Sequence, residues 1–278
     1  MPNAVDAKTE SMRIFLVGDT GNGKTTQFLT LPGKKYLYIF DPNALRSVKG
    51  HDVDYDLFLP TSIPAGISSL KKSKEGDARA ATSSVYEQFE TEFDQRIKSG
   101  FFDPYEWIGF DSATTLLDLM MDRVLSINGR LGQWPHEDDW GPQMIGFMNL
   151  CRTVTAMKKN LFMTGHMQDK TNRKTGVTRR QPMLTGSLVQ RIPLLFSEVL
   201  GADVDTDANG KSVYRLHTVP DHEFTVIRTS MKGLEPVETV TIDWTKPVVG
   251  QGLGGIINWS QKNPNGNPNG KPILEVIK

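Results

Sequence analysis

Residues 17 to 26 read VGDTGNGKTT, and no other stretch restricts the possible fold as much. Gly18-Asp19-Thr20-Gly21-Asn22-Gly23-Lys24-Thr25 fills every fixed position of the pattern G-x-x-x-x-G-K-[ST], with Thr26 directly behind it. The pattern has a physical basis. Glycines let successive backbone N–H groups turn toward one anion, and the N-terminus of the following helix adds a partial positive charge. Lys24 is then placed to reach β- and γ-phosphate oxygens, and the Thr25 hydroxyl to bind Mg²⁺. Such a loop needs a buried strand before it and a helix after it. Both are predicted: MRIFLV at 12–17 is apolar, and Pro32-Gly33 stops a helix near Leu31. A bare surface turn is the alternative, and the matched flanks speak against it.

Strands are further predicted at 35–40 (KYLYIF), 105–112 (YEWIGFDS), 160–166 (NLFMTGH), and around 197–204, 212–218 and 223–229. Helices are expected over 113–127 and about 142–158. A third is expected where Val85, Phe89, Phe93 and Ile97 recur at four-residue spacing. Residues 61–84 and NGRLGQWPHEDDWGP read as loops, and Asp207-Ala208-Asn209-Gly210 as a hairpin turn. This order implies an α/β fold: a mostly parallel central sheet flanked by helices, with antiparallel strands toward the C-terminus. The expected organisation is a flexible tail over 1–10, one domain over 11–250, and a Gly/Asn/Pro-rich tail over 251–278 whose NPNGNPNG stretch should not pack.

The net charge is zero, so any polyanion site must be a local patch. One cysteine, Cys151, excludes an internal disulfide framework. No apolar run approaches the roughly 20 residues that span a bilayer. A polar start without an apolar core suggests no signal peptide, and the expectation is a cytoplasmic protein without a membrane partner. Five scattered histidines offer no zinc spacing.

A P-loop needs a second carboxylate at the end of a buried strand to hold the metal's water shell. Asp111, closing WIGFD, meets that need. Asp41 ends another apolar strand and is the competitor, unless it caps the helix near Ala44. His166 stands at the end of the NLFMTG strand, either as a sensor of the γ-phosphate or as a hydrogen-bonded residue of the sheet edge. Residues 167–183 carry Lys170, Arg173, Lys174, Arg179 and Arg180 against one acid, Asp169. Such a stretch is either a solvated loop or a local array for a phosphate backbone.

With these residues assembled, the chain resembles the RecA-like P-loop ATPases, and among them phage-encoded proteins related to Sak-type recombination ATPases. The resemblance covers about residues 12–240. It rests on GDTGNGKTT, YLYIFDPN, WIGFDSATTL, LFMTGHMQD and TGSLVQRIPLLFSEVL. It implies ATP and Mg²⁺ as cofactors, a homo-oligomer (ring or filament) with interfacial sites, and single-stranded DNA bound by 167–183. A phage protein working in the bacterial cytoplasm beside a single-strand DNA-binding protein follows from the same likeness. Relatives place an acid two residues beyond the aspartate of the second strand, to orient water. Here that position is Asn43, which leaves Asp41 or Glu106 for the task. Arg228 and Lys232 sit where such proteins place cations for a neighbouring subunit's γ-phosphate. Two rival readings are a small-molecule P-loop kinase, with 167–183 as its lid, and a non-hydrolysing nucleotide switch or assembly protein.

Overall fold

The structure is a computed structural model that describes residues 11–59, 77–131, 133–171, 173–221 and 224–266, with the side chains of 77–84 left aside. The expected 1–10 tail and most of the 61–84 loop lie outside these residues. The strands are β1 (Arg13–Gly18), β2 (Lys35–Ile39), β3 (Asp54–Leu57), β4 (Trp107–Asp111), β5 (Asn160–Gly165), β6 (Met167–Thr171), β7 (Thr178–Pro182), β8 (Glu198–Thr206), β9 (Ser212–His217) and β10 (Val237–Val240). The helices are α1 (Lys24–Leu29), α2 (Ala44–Val48), α3 (Asp77–Ser99), α4 (Ala113–Ile127), α5 (Glu137–Ala156), α6 (Leu188–Arg191) and α7 (Gly252–Lys262).

Among the described residues one sheet runs in the order β10-β9-β8-β1-β5-β4-β2-β3. The strands from β8 to β3 pair in parallel, while β9 and β10 are antiparallel, as the sequence predicts. The alternation of side chains explains the layers. Phe15, Val17, Tyr36, Tyr38, Phe40, Ile108 and Phe110 face one way, into a core shared with α3, α4 and α5. Ile14, Leu16, Leu37, Ile39 and Phe162 face the other way, against α1, α2 and α7. The Val85, Phe89 and Phe93 stripe of α3 is buried as its spacing predicts. Among the described residues no helix is long and apolar enough to cross a membrane.

Several elements differ from expectation. β3 and β10 are edge strands that the sequence pattern does not reveal: DYDL and VETV carry charges, as edges exposed to water tend to. Residues 77–84 belong to α3 rather than to a loop. α5 begins at Glu137 instead of 142, because the Asp139 carboxylate accepts the His136 N–H at 2.7 Å and closes a capping box upstream of Pro142. Of the strand expected over 223–229, the described residues 224–229 form none; Arg228 makes a single bridge to Val199. Beyond it, Thr229 and Ser230 turn inward to donate to the buried Glu198 carboxylate. The Asp207 turn joins β8 to β9 as predicted, its carboxylate accepting the Asn209 and Lys211 N–H groups at 2.8 Å.

The C-terminal tail begins later than the sequence suggests. Residues 252–262 form α7, whose Leu253 and Ile257 are fully buried. Gln27 Oε1 accepts the Leu253 N–H at 2.8 Å, and Thr30 Oγ1 accepts that of Gly254 at 2.9 Å, so the end of α1 caps the start of α7. Only glycine fits at 254, since a Cβ would stand 1.9 Å from the Thr30 carbonyl oxygen. Backbone cannot yield as a flexible side chain can. Gly254→Val is therefore expected to destabilise the fold by about 2–4 kcal/mol in urea denaturation; an unchanged midpoint would detach α7 from the core.

Candidate active site

The C-terminal ends of β1, β4 and β5 and the chain just beyond β2 meet at one edge of the parallel sheet, the usual place for ligands in such sheets. The P-loop leaves β1 there. Gly21 and Gly23 take positive φ angles of 89° and 73°, which a side chain would resist, and Gly23 is the N-cap of α1. Thr20 and Gly21 form the exposed crest, and Thr26 is half-buried in α1. Lys24 folds back inside the loop, donating to the carbonyls of Gly18 at 2.9 Å and Asp19 at 2.8 Å. Burial lowers its pKa, against the opposing pull of Asp111, Asp41 and Asp19. Asn22 pins the loop sideways by donating to the Ala202 carbonyl at 2.9 Å.

Asp111 lies at the centre, 3% exposed. The Thr25 hydroxyl donates to its Oδ2 at 2.6 Å and the Thr164 hydroxyl to its Oδ1 at 2.5 Å. Burial pushes its carboxyl above the usual range, while the bonds from Thr164 and Thr25 work the other way. Thr25 and Asp111, a hydroxyl and a carboxylate in direct contact, form an all-oxygen donor pair that suits a hard cation such as Mg²⁺.

Asp41 follows β2, where its N–H and that of Phe40 both bond to the Asp111 carbonyl. Its carboxylate accepts from the Thr115 hydroxyl, from the Ser112 hydroxyl at 3.3 Å, and faces His166 Nε2 at 3.2 Å. Burial alone would raise its pKa, but the bonds from His166, Thr115 and Ser112 outweigh it and hold the group below the ordinary value. The His166 N–H in turn donates to Thr114 at 3.1 Å. Lys24, Thr25, Asp41, Asp111 and His166 thus converge as a cluster.

Other expected residues sit elsewhere. Asn43 is exposed at the start of α2, and its side chain makes no cap bond. Glu106 precedes β4, with its N–H on the Lys34 carbonyl, at the opposite edge of the sheet. The five residues of β4 put it about 16 Å from the cluster, too far to activate water there. The Arg228 guanidinium is taken up within the chain by the carbonyls of Pro193, at 2.9 Å, and Phe196, whereas Lys232 is exposed.

Within the stretch expected to be a loop, Met167–Thr171 and Thr178–Pro182 pair as a two-stranded antiparallel hairpin, β6–β7. Pairing divides its cations between two faces. Lys170 stands opposite Arg179, and both are exposed. Arg180, opposite Asp169, shares its face with the buried Met167 and Pro182. Arg173 and Lys174 lie at the exposed tip. Arg180 reaches the P-loop itself, donating to Asp19 Oδ2.

Sequence reasoning missed Thr164 and Thr115, which hold the two carboxylates. Thr164 had a signal, as the lone hydroxyl in the apolar run LFMTG; Thr115 had none.

A protein-family model described as an AAA domain matches residues 10–225. No curated protein sequence matches the chain. Among solved structures it is similar to a KaiC-like protein from the hyperthermophilic archaeon Pyrococcus horikoshii OT3, with 13% identity over 84% of this chain and 87% of that one and a TM-score of 0.36.

The geometry separates the roles of three residues. Lys24→Ala should abolish binding of a fluorescent ATP analogue. Asp111→Asn should retain binding but lose turnover. Thr164→Val leaves one buried Asp111 oxygen without its partner and should cost about 1–3 kcal/mol of stability. Wild-type affinity in Lys24→Ala would overturn the phosphate site.

Proposed function

The chain belongs to the AAA domain family, and on that premise we propose that it is a Mg²⁺-dependent ATPase whose hydrolysis is coupled to single-stranded DNA. The observation that carries the first half is the contact of Thr25 with Asp111 beside the buried Lys24 ammonium. Lys24 would leave the loop carbonyls for phosphate oxygens, exchanging one set of acceptors for a charged one. Thr25 would hold Mg²⁺ directly and Asp111 through water; when bound, the ion supplies positive charge against the phosphates. Asp41 is kept ionised beside His166, so this pair is our assignment for orienting the attacking water. The Asn43 amide can hold a water but cannot take its proton.

The proposal for DNA rests on the outer face and tip of the hairpin, where Lys170, Arg173, Lys174 and Arg179 are exposed together. The likeness to phage recombination ATPases supports single-stranded DNA as the polymer, and a ring or filament as the working state. Lys232 is then the cation proposed to reach a neighbour's phosphates. Arg228, already bound within the chain, is the weaker choice. The hairpin base explains how DNA would be felt at the nucleotide: the Met183 N–H bonds to the His166 carbonyl at 2.8 Å, and His166 touches Asp41.

Neutralising Lys170, Arg173, Lys174 and Arg179 while keeping Arg180 tests this coupling. The slope of log affinity against log salt for fluorescent oligo-dT should shrink by about 0.7 per lost contact, roughly 3 in all. DNA stimulation of ATPase should disappear, with little change in nucleotide affinity. Superimposable salt titrations of wild type and variant would end the DNA assignment.

A further inference from the structure

We infer that Arg180 is a positioning residue for the nucleotide site: it neutralises Asp19, the carboxylate inside the P-loop, and so sets nucleotide affinity from the hairpin. The inference rests on the nucleotide reading above and goes beyond it. Asp19 is an awkward residue for a phosphate cradle. Its own carbonyl accepts the Lys24 ammonium at 2.8 Å, so its negative side chain stands within the first residues of the loop that would face a polyanion. A like charge that close weakens anion binding unless another group cancels it.

Arg180 supplies the cancellation from 161 residues away in sequence. Its Nη2 donates to Asp19 Oδ2, and its Nε lies 3.5 Å from Asp169 Oδ1 on the paired strand. The guanidinium sits over the Phe224 ring at 5.8 Å from its centroid. Three separate segments therefore fix one side chain, 25% exposed, against a carboxylate that is 52% exposed. The neighbouring Arg179, on the outward face, has no part in this arrangement. The inner face of the hairpin serves the P-loop, and the outer face is left for a polymer.

The test is a double-mutant cycle on the full chain, read by anisotropy of a fluorescent ATP analogue. Arg180→Gln exposes the phosphates to an uncancelled Asp19 and should weaken binding about fivefold at low salt. Asp19→Asn should bind as tightly as wild type or more tightly. The double variant should return to within about twofold of Asp19→Asn, which a mere packing role for Arg180 would not produce. The fivefold loss should also shrink as salt is raised, since it is a charge effect. Arg180→Lys, which keeps the charge, should stay near wild type and guards against a folding defect, as do thermal melts of every variant. Unchanged affinity in Arg180→Gln, or a double variant as weak as that single one, would overturn the inference. Failure of the wild type itself to bind the analogue, with Lys24→Ala indistinguishable from it, would instead overturn the nucleotide reading.

Discussion

The buried carboxylate of Asp111 organises this molecule. A carboxylate removed from water survives only if its oxygens find donors, and those donors must come from wherever the fold can bring them. Here Thr25 comes from the first turn of α1 and Thr164 from the adjacent strand β5. The Asp111 carbonyl collects the N–H groups of Phe40 and Asp41 at the end of β2. One residue thereby fixes the relative positions of the P-loop helix and of β2, β4 and β5. The same contacts place the hydroxyl and carboxylate oxygens that a hard cation would use. The atoms that satisfy the buried charge are the ones that would hold the cation.

Around this point the sheet acts as a rigid floor. Parallel strands buried on both faces demand apolar side chains in both directions, and β1, β2 and β5 provide them almost without interruption. On one face Tyr38, Phe89, Phe93 and Phe110 pack as a group of rings with centroids 5.3–6.5 Å apart. Arg96 closes the edge of that cluster, bonding to Asp56 and to the hydroxyls of Tyr36 and Tyr38. Burial raises the pKa of both phenols, so they remain neutral donors and acceptors. A floor of this kind holds the strand ends still, and precision at the strand ends is what phosphate chemistry requires.

The hairpin β6–β7 is the element that joins the site to the outside. It starts immediately after His166 and returns at Met183, whose carbonyl accepts from Thr114 at 3.4 Å. Both of its ends are therefore held at α4 and Asp41, and its middle at Asp19 through Arg180. The hairpin and the P-loop are thus joined by the Arg180–Asp19 ion pair. Its two faces carry different residues, Asp169 and Arg180 on one and Lys170 and Arg179 on the other, and the separation follows from the period of two along a strand.

Much of this was legible in the sequence. The P-loop is a contiguous pattern that depends on near neighbours, so the strand–loop–helix arrangement around Gly18 to Thr26 could be read directly. The run 113–127 and the Asp207 turn were likewise local, set by periodicity and by an aspartate bonding two and four residues ahead. The strand-ending Asp111 could be picked out because a charge closing an apolar run is conspicuous. What the sequence could not decide was adjacency. Thr25 meets Asp111 across 86 positions, Thr164 meets it across 53, and Arg180 meets Asp19 across 161. Such pairings depend on strand order and on which end of a strand a residue occupies. The same fact removed Glu106 from the site and turned a basic loop into a two-faced hairpin. Local propensity acts within a turn or two of the chain, whereas these contacts exist only after the parallel sheet has brought the strand ends together.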